Sequence, residues 1–266
     1  MLVEAAAEPV RRRRGGAGID ATVRSPVSNL DAEQPSVART VPTPGEEKPP
    51  GYYANSRSDL VAALPRPLGR VLDVGCGEGG VARGLRAAGA SAVAGIEIDP
   101  VAAAQAAAVL DELQVGSVEE CLARLRGGPW DTICCYDVLE HLVDPYAVLA
   151  QLRAAAAPGG RLHVSVPNAR HLSLLADLVL RGTFGYSEWG HRDSTHLRWF
   201  TRRDIVSAVE QAGWRVLAIS HPALHRARLA DTLTRGRSTE FLVGQWYVLA
   251  DTGRGGSEAG SSSAPK

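Results

Sequence analysis

The stretch Arg70-Val71-Leu72-Asp73-Val74-Gly75-Cys76-Gly77-Glu78-Gly79-Gly80 constrains this chain more than any other. An apolar run ends at an acid and breaks into glycines, and Val81 to Ala88 continues with helical character. The pattern predicts a buried strand, a tight turn and a helix in immediate succession. Glycine tolerates positive φ and carries no Cβ, so such a turn lets a ligand approach the backbone closely. The first N–H groups of the helix lack intrahelical acceptors and point at that ligand. Gly75, Gly77 and Gly80 fit the spacing GxGxxG, and Glu97 follows at nearly the distance of a ribose-binding acid. By itself this match has little specificity.

The flanking segments supply the rest of an α/β domain. Gly51 to Leu64 reads as an entry helix with Leu60, Val61, Ala63 and Leu64 on its apolar side, stopped by Pro65 and Pro67. Ser91 to Ile98 is a second strand, and Asp99-Pro100 starts a helix with Pro in its first turn. Leu113 to Val118 is a short strand, with a helix expected through Cys121 to Leu125. Trp130 to Tyr136 and Arg161 to Val166 are buried strands, separated by a helix over Pro145 to Ala157 that Pro158-Gly159-Gly160 ends. Strands alternating with helices imply βαβ units and a mostly parallel sheet covered on both faces. After Asn168 the rhythm changes. Leu172 to Leu180 is an apolar helix, and Arg181 to Phe200, rich in Gly, His, Arg, Trp and Tyr, is too polar for core and reads as an inserted cap. Thr201 caps a further helix to Ala212, and Trp214 to Ile219 and Gly244 to Ala250 are the last strands. The expected organisation is a disordered tail over 1–48, a domain over 49–250 with a cap at 168–200, and a second disordered tail over 251–266.

Composition narrows the class of function. The formal net charge is zero, so a general nucleic-acid binder is not expected, and the Arg11 to Arg14 run reads as a solvated tail. No stretch is long and apolar enough to span a membrane, and no apolar segment follows the arginine run as a signal peptide requires. Cys76, Cys121, Cys134 and Cys135 form no CxxC pair and sit in apolar or turn positions, which fits a reduced, cytoplasmic protein.

Two cofactors compete for the glycine turn. A pyrophosphate disfavours an acid as close as Asp73, whereas an ammonium-bearing ligand is held by one. Further segments point the same way. Val71 to Gly79, Gly95-Ile96-Glu97, Trp130-Asp131, Asp137-Val138-Leu139-Glu140-His141-Leu142 and Pro158-Gly159-Gly160 together resemble class I S-adenosylmethionine-dependent methyltransferases. The nearest subgroup is the small-molecule type that includes ubiquinone-biosynthesis O-methyltransferases. The resemblance covers roughly residues 51–250. It implies a Rossmann-like α/β fold with a seven-stranded, mostly parallel sheet, helices on both faces, the last strand antiparallel, and a cap inserted after the fifth strand. It implies S-adenosylmethionine as cofactor, its methionyl end over Gly75, Cys76 and Gly77 near Asp73, its ribose on Glu97 and its adenine against Ile98. Ser117 stands where relatives often carry an Asp for the adenine amine, and Tyr53 and Arg57 could close over the cofactor.

Asp137, Glu140 and His141 follow the fourth strand. Some members of the subgroup are thought to hold a divalent ion with an acid-x-x-Glu-His arrangement here, and carboxylates with an imidazole suit such an ion. The alternative is that Glu140 and His141 orient the loop while Asp137 lines the cofactor pocket. Neighbouring residues rarely both face one site, so no metal site is expected. In the cap, His191 and His196 are the candidate bases for an acceptor hydroxyl; the alternative is that His196 and Arg198 pin the cap to the domain through hydrogen bonds. Phe184, Tyr186, Trp189 and Trp199 could wall an apolar acceptor, and His163, His171, His221 and His225 read as structural. The expected function is methyl transfer to a small molecule. A nicotinamide-dependent oxidoreductase, or a cofactor-binding interaction protein without methyl transfer, are the alternatives.

Overall fold

The computed structural model describes residues 53–222 and 238–253. The expected tail over 1–48, the C-terminal tail beyond Gly253 and the segment containing His225 lie outside the described residues. The described strands are β1 (Arg70–Val74), β2 (Ala92–Glu97), β3 (Glu112–Val115), β4 (Trp130–Tyr136), β5 (Ala156–Pro167), β6 (Arg215–Ser220) and β7 (Gln245–Asp251). They form one sheet in the order β3-β2-β1-β4-β5-β7-β6. Strands β1 to β5 pair in parallel, and β7 runs antiparallel between β5 and β6. The seven-stranded, mostly parallel sheet is as expected.

Alternation along the strands splits the core in two. Leu72, Val74, Ile133, Cys135, Leu162 and Val164 face one side, where α5 (Pro145–Ala155) and α7 (Arg202–Gln211) contribute Leu149, Leu152, Ile205 and Val209. Val71, Val93, Cys134 and Tyr136 face the other, where α1 (Ser58–Ala63) and α2 (Gly80–Ala87) contribute Leu60, Val61, Val81 and Leu85. All four cysteines are buried and unbridged, and Cys134 and Cys135 take the small-hydrophobe role expected of them. Among the described residues no helix is long and apolar enough to cross a membrane.

Several boundaries differ from expectation for local reasons. The entry helix begins only at Ser58, because Arg57 takes a left-handed conformation at φ 39°. It stops at Ala63, since Leu64 precedes Pro65 and is extended, and Ala63 itself is exposed rather than apolar-facing. Helix α4 (Val118–Cys121) starts earlier than expected because Ser117 caps it, and Leu122–Arg124 continues as a 3-10 turn. Helix α5 ends at Ala155, and β5 takes over at Ala156, which pairs with Trp130. Gly160 permits this, since a Cβ there would lie 2.8 Å from the backbone oxygens of both Trp130 and Ala157. Helix α6 (Leu172–Leu180) runs as expected, but buries only Leu174. In the cap, Asp193, His196 and Phe200 are buried, contrary to the reading of that segment as too polar for core.

Thr201 closes α7 with a reciprocal cap: its hydroxyl accepts the Asp204 N–H at 3.3 Å, and the Asp204 carboxylate accepts the Thr201 N–H at 3.1 Å. We expect Thr201→Ala to lower stability by about 1 kcal/mol, as a shift in the urea midpoint with unchanged slope.

The strand order fixes where a ligand can sit. From β1 the chain steps outward to β2 and β3, then returns to place β4 on the other side of β1. The crevice outside the carboxyl ends of β1 and β4 is the switch point where open α/β sheets bind ligands. The glycine turn leaves β1 there, and Asp137 to His141 leave β4 there.

Candidate functional site

The glycine turn is held by β2. The N–H groups of Gly75 and Cys76 donate to the Ile96 carbonyl at 2.8 and 3.1 Å. Glu97, at the end of β2, accepts the Gly77 N–H at 2.8 Å on one carboxylate oxygen and the Asp99 N–H at 2.9 Å on the other. Gly75 and Gly77 have φ of 71° and 52°, and a Cβ at Gly77 would lie 2.6 Å from the Tyr53 carbonyl oxygen. The segment before α1 therefore lies directly over the turn, where the Tyr53 carbonyl also accepts the Glu78 N–H at 3.1 Å. Burial and the charges of Asp99, Glu97 and the cap residue Asp193 push the Tyr53 hydroxyl up to about 12. The cap thus comes within electrostatic reach of the turn.

Asp73 is buried beneath the turn, and its Oδ2 has no hydrogen-bond partner among the described residues. Burial, and next the Glu97 carboxylate, push its carboxyl up to about 8. Burial likewise raises Glu97 above its ordinary range. Two desolvated acids facing one crevice favour a cationic guest and oppose a pyrophosphate. Glu97 also occupies the Gly77 N–H that a pyrophosphate would need. The residues therefore fit a ligand carrying ammonium and sulfonium charges.

On the β4 side, Arg57 forms an ion pair with Asp137 and donates to Gln245 Oε1 at 3.1 Å. Asp137 Oδ1 also accepts from Ser165 Oγ at 2.8 Å and Gln245 Nε2 at 2.9 Å. Arg57 and Asp137 are the only non-glycine residues with positive φ among the described residues, at 39° and 56°. Each such position costs on the order of 1–3 kcal/mol. The strain is concentrated on the two halves of one ion pair at the crevice.

A second cluster lies on the 3-10 turn Leu139–His141. Glu140 is buried, and neither of its carboxylate oxygens has a hydrogen-bond partner among the described residues. Burial, and next the Asp137 charge, raise its carboxyl well above the ordinary range. One ligand atom each from Glu140, His141 and His196 lie within 4.8 Å of one another. The cap docks here through the Glu140 carbonyl, which accepts the N–H groups of Leu197 and Arg198 at 2.8 and 3.0 Å. His141 Nδ1 meets Thr195 Oγ1 at 3.0 Å, and Thr195 in turn donates to Asp193 Oδ1 at 2.7 Å. This corrects two expectations. The Glu140 side chain does not orient the loop by hydrogen bonding; its main chain does. Adjacent Glu140 and His141 do converge on one site, with His196 as third member and Asp137 engaged by Arg57 instead.

The expected site residues are placed as follows. Asp73, Gly75, Cys76, Gly77 and Glu97 surround the turn. Ile98 is 67% exposed at its mouth. Ser117 accepts the Glu120 N–H at 3.4 Å as the cap of α4. His196 joins the second cluster, but His191 does not. Its Nε2 donates to the Gly244 carbonyl at 2.6 Å, and its ring stacks on His171 with centroids 4.7 Å apart. His191 therefore ties the cap to the start of β7. His163, read as structural, meets the Tyr136 hydroxyl at 3.0 Å in the core. Phe184 packs on both Tyr186 and Trp199, with centroids 5.0 and 5.5 Å away, while Trp189 is exposed. Sequence reasoning missed Ser165, Gln245, Asp193 and Thr195, which carry no local motif and reach the site only through strand order and the fold of the cap.

Residues 47–219 match a family model described as a methyltransferase domain. The chain is 33% identical over 207 residues to a ubiquinone biosynthesis O-methyltransferase of Xanthomonas campestris pv. campestris, covering 70% of this chain and 82% of that relative. A solved S-adenosylmethionine-dependent methyltransferase from Archaeoglobus fulgidus superposes with a TM-score of 0.55 at 17% identity, covering 76% of this chain and 96% of that one. The [4+2]-cyclase SpnF superposes with a TM-score of 0.52 at 20% identity, covering 74% and 81%. One fold thus houses different activities, and assignment rests on the family match and the site. On those grounds the chain belongs to the methyltransferase-domain family, as an S-adenosylmethionine-dependent methyltransferase on the seven-stranded Rossmann-like sheet.

Proposed function

We propose that the protein transfers a methyl group from S-adenosylmethionine to a hydroxyl oxygen of a small-molecule acceptor. The observation that carries this reading is the buried, unpartnered Glu140 carboxyl beside His141 and His196, at the carboxyl end of β4 and under the cap. Oxygen acceptors need a proton removed, whereas the similarity to ubiquinone biosynthesis O-methyltransferases independently favours oxygen. When bound, the cofactor supplies an activated methyl on a sulfonium, so the chain's own task is alignment and proton removal. Asp73 holds the ammonium end below Gly75 to Gly77. Glu97 takes the ribose diol with its two oxygens, exchanging one or both of its present backbone donors. Ile98 packs against the adenine and Ser117 offers an oxygen to its amine. Arg57, now on Asp137, is placed to meet the cofactor's carboxylate. Asp193 and Thr195 orient His141, and His196 takes the acceptor proton.

A second reading of the same cluster is specific to it. Glu140, His141 and His196 offer one carboxylate and two imidazoles, a donor set suited to a divalent ion of the first transition row. Such an ion would lower the acceptor hydroxyl's pKa and hold it in place.

Calorimetry tests the cofactor: S-adenosylmethionine and its demethylated product should bind and NAD should not. Binding of NAD alone would sink the proposal. Labelled S-adenosylmethionine incubated with a metabolite extract and a panel of phenols tests the acceptor, and label found only on nitrogen would overturn the oxygen assignment.

Asp73 makes cofactor binding depend on pH. Its carboxyl holds a proton below about 8, and an ammonium guest requires the carboxylate. Each binding event near neutral pH therefore releases a proton. Affinity should rise as pH approaches about 8, by up to roughly tenfold per pH unit, then level off. The same raised value means that Asp73's contribution to the unliganded fold is complete below the ordinary 3.8 and is lost as pH rises through about 8. Titrations in buffers of different ionisation heat would count the released proton. An Asp73→Asn variant with the wild-type pH slope would exclude Asp73 as its source.

A further inference from the structure

The cap leaves the domain after Asn168 and rejoins it at Thr201. Its two roots are bridged, with the Ala169 N–H donating to the Phe200 carbonyl at 3.0 Å. A cavity of about 150 Å³ opens between them, lined by Asn168, Arg170, Thr201, Arg202, Arg203, Glu240 and Trp246. At about 30 Å³ per water, it has room for a small polyatomic ion.

Three features of the lining point to an anion. Arg202 and Arg203 occupy the first turn of α7, a helix of 10 residues. Cations there oppose the helix dipole, which favours negative charge at that end. Both side chains are exposed, and neither has an ion-pair partner among the described residues. Trp246, almost wholly buried on β7, lines the same cavity, and its indole N–H has no hydrogen-bond acceptor among the described residues. An indole nitrogen only donates, and a buried donor without an acceptor is costly. Third, Arg170 is paired with Glu240 and lies over the Phe241 ring at 4.4 Å, which holds its guanidinium at the wall. The three guanidiniums less the Glu240 carboxylate leave two positive charges facing the cavity. Asp204 follows the two arginines in the same first turn; its carboxylate accepts from the N–H and hydroxyl of Thr201 and keeps its negative charge, but it does not line the cavity.

We propose that this cavity binds a phosphoryl group, which bridges the two roots of the cap. A multi-oxygen anion matches the excess of guanidinium over carboxylate in the lining, and its oxygens suit guanidinium forks. The site lies on the α7 side of β7, whereas the neighbouring Gln245 points to Asp137 on the other side. It therefore stands apart from the methyl-transfer crevice, and the proposal does not depend on that activity.

The test uses the full chain, titrated with sodium phosphate and with sodium chloride at matched ionic strength. Phosphate should raise the melting temperature saturably and chloride should not. The double variant Arg202→Gln, Arg203→Gln should bind phosphate roughly tenfold more weakly or worse, yet melt without phosphate at or above the wild-type temperature, because two cations opposing the dipole are gone. Phenyl phosphate that competes with and outbinds inorganic phosphate would assign the group to a phosphorylated ligand; inorganic phosphate binding alone would assign it to the free ion. Equal responses to phosphate and chloride, or a double variant that titrates like wild type, would overturn the proposal.

Discussion

A Glu97→Ala variant should lose S-adenosylmethionine affinity by roughly 100-fold, because the ribose role proposed for Glu97 supplies two charge-assisted hydrogen bonds that disappear together. Glu97 has a double duty that sharpens the expectation. Its two oxygens accept from the Gly77 and Asp99 N–H groups, so it shapes the turn in addition to the ribose role proposed for it. The Ala variant leaves both N–H groups unpaired and should melt lower, so affinity is best measured well below its transition. Glu97→Gln separates the two duties. One amide oxygen can still hold one backbone donor, but the amide nitrogen faces the other N–H and only one ribose hydroxyl is accepted. Its loss should be intermediate. Calorimetric affinity equal to wild type in the Ala variant would remove Glu97 from the ribose role.

His196→Ala should slow methyl transfer by roughly 10²–10⁴-fold, the usual contribution of a general base, with cofactor affinity unchanged. Glu140→Gln tests the same cluster differently, since it keeps the shape and removes the acid. The two readings of the cluster then part. If His196 acts as the base, exhaustive chelation leaves the wild-type rate intact and His196→Ala remains slow. If Glu140, His141 and His196 hold a divalent ion, chelation slows the wild type to the level of Glu140→Gln, and added ion restores only the wild type. Occupation by an ion would also release a proton, because the Glu140 carboxyl is raised well above its ordinary range. Normal turnover in both variants, chelated or not, would remove the cluster from the reaction. His191→Ala serves as a contrast. Its imidazole is committed to the Gly244 carbonyl, so its loss should loosen the cap and raise the acceptor KM more than it lowers kcat.

Much of this architecture is legible from local chemistry. The run from Arg70 to Gly80 announces strand, turn and helix because apolar alternation and glycine placement act over a few neighbouring residues. Trp130 to Tyr136 and Leu172 to Leu180 match the observed elements for the same reason. The boundaries that moved did so through single-residue effects: the left-handed Arg57, and the extended Leu64 and Ala156. Neither kind of effect leaves a periodic signal.

The cofactor side of the crevice is thus written in one contiguous stretch plus Glu97, since a turn and the next strand end are neighbours in any βαβ unit. The cluster at the end of β4 is not. Glu140 and His196 stand apart in the chain and meet only because β4 ends at the switch point while the cap folds back onto the turn after it. Arg57, just before the entry helix, meets Asp137 and also reaches Gln245 at the start of β7, 188 residues away in sequence. Local propensity acts through the backbone over one or two turns, whereas charge pairing and burial act through space. Sequence therefore names the turn and its cofactor class, and the packing of cap on sheet places His196 beside Glu140 and His141 while His191 goes to the Gly244 carbonyl.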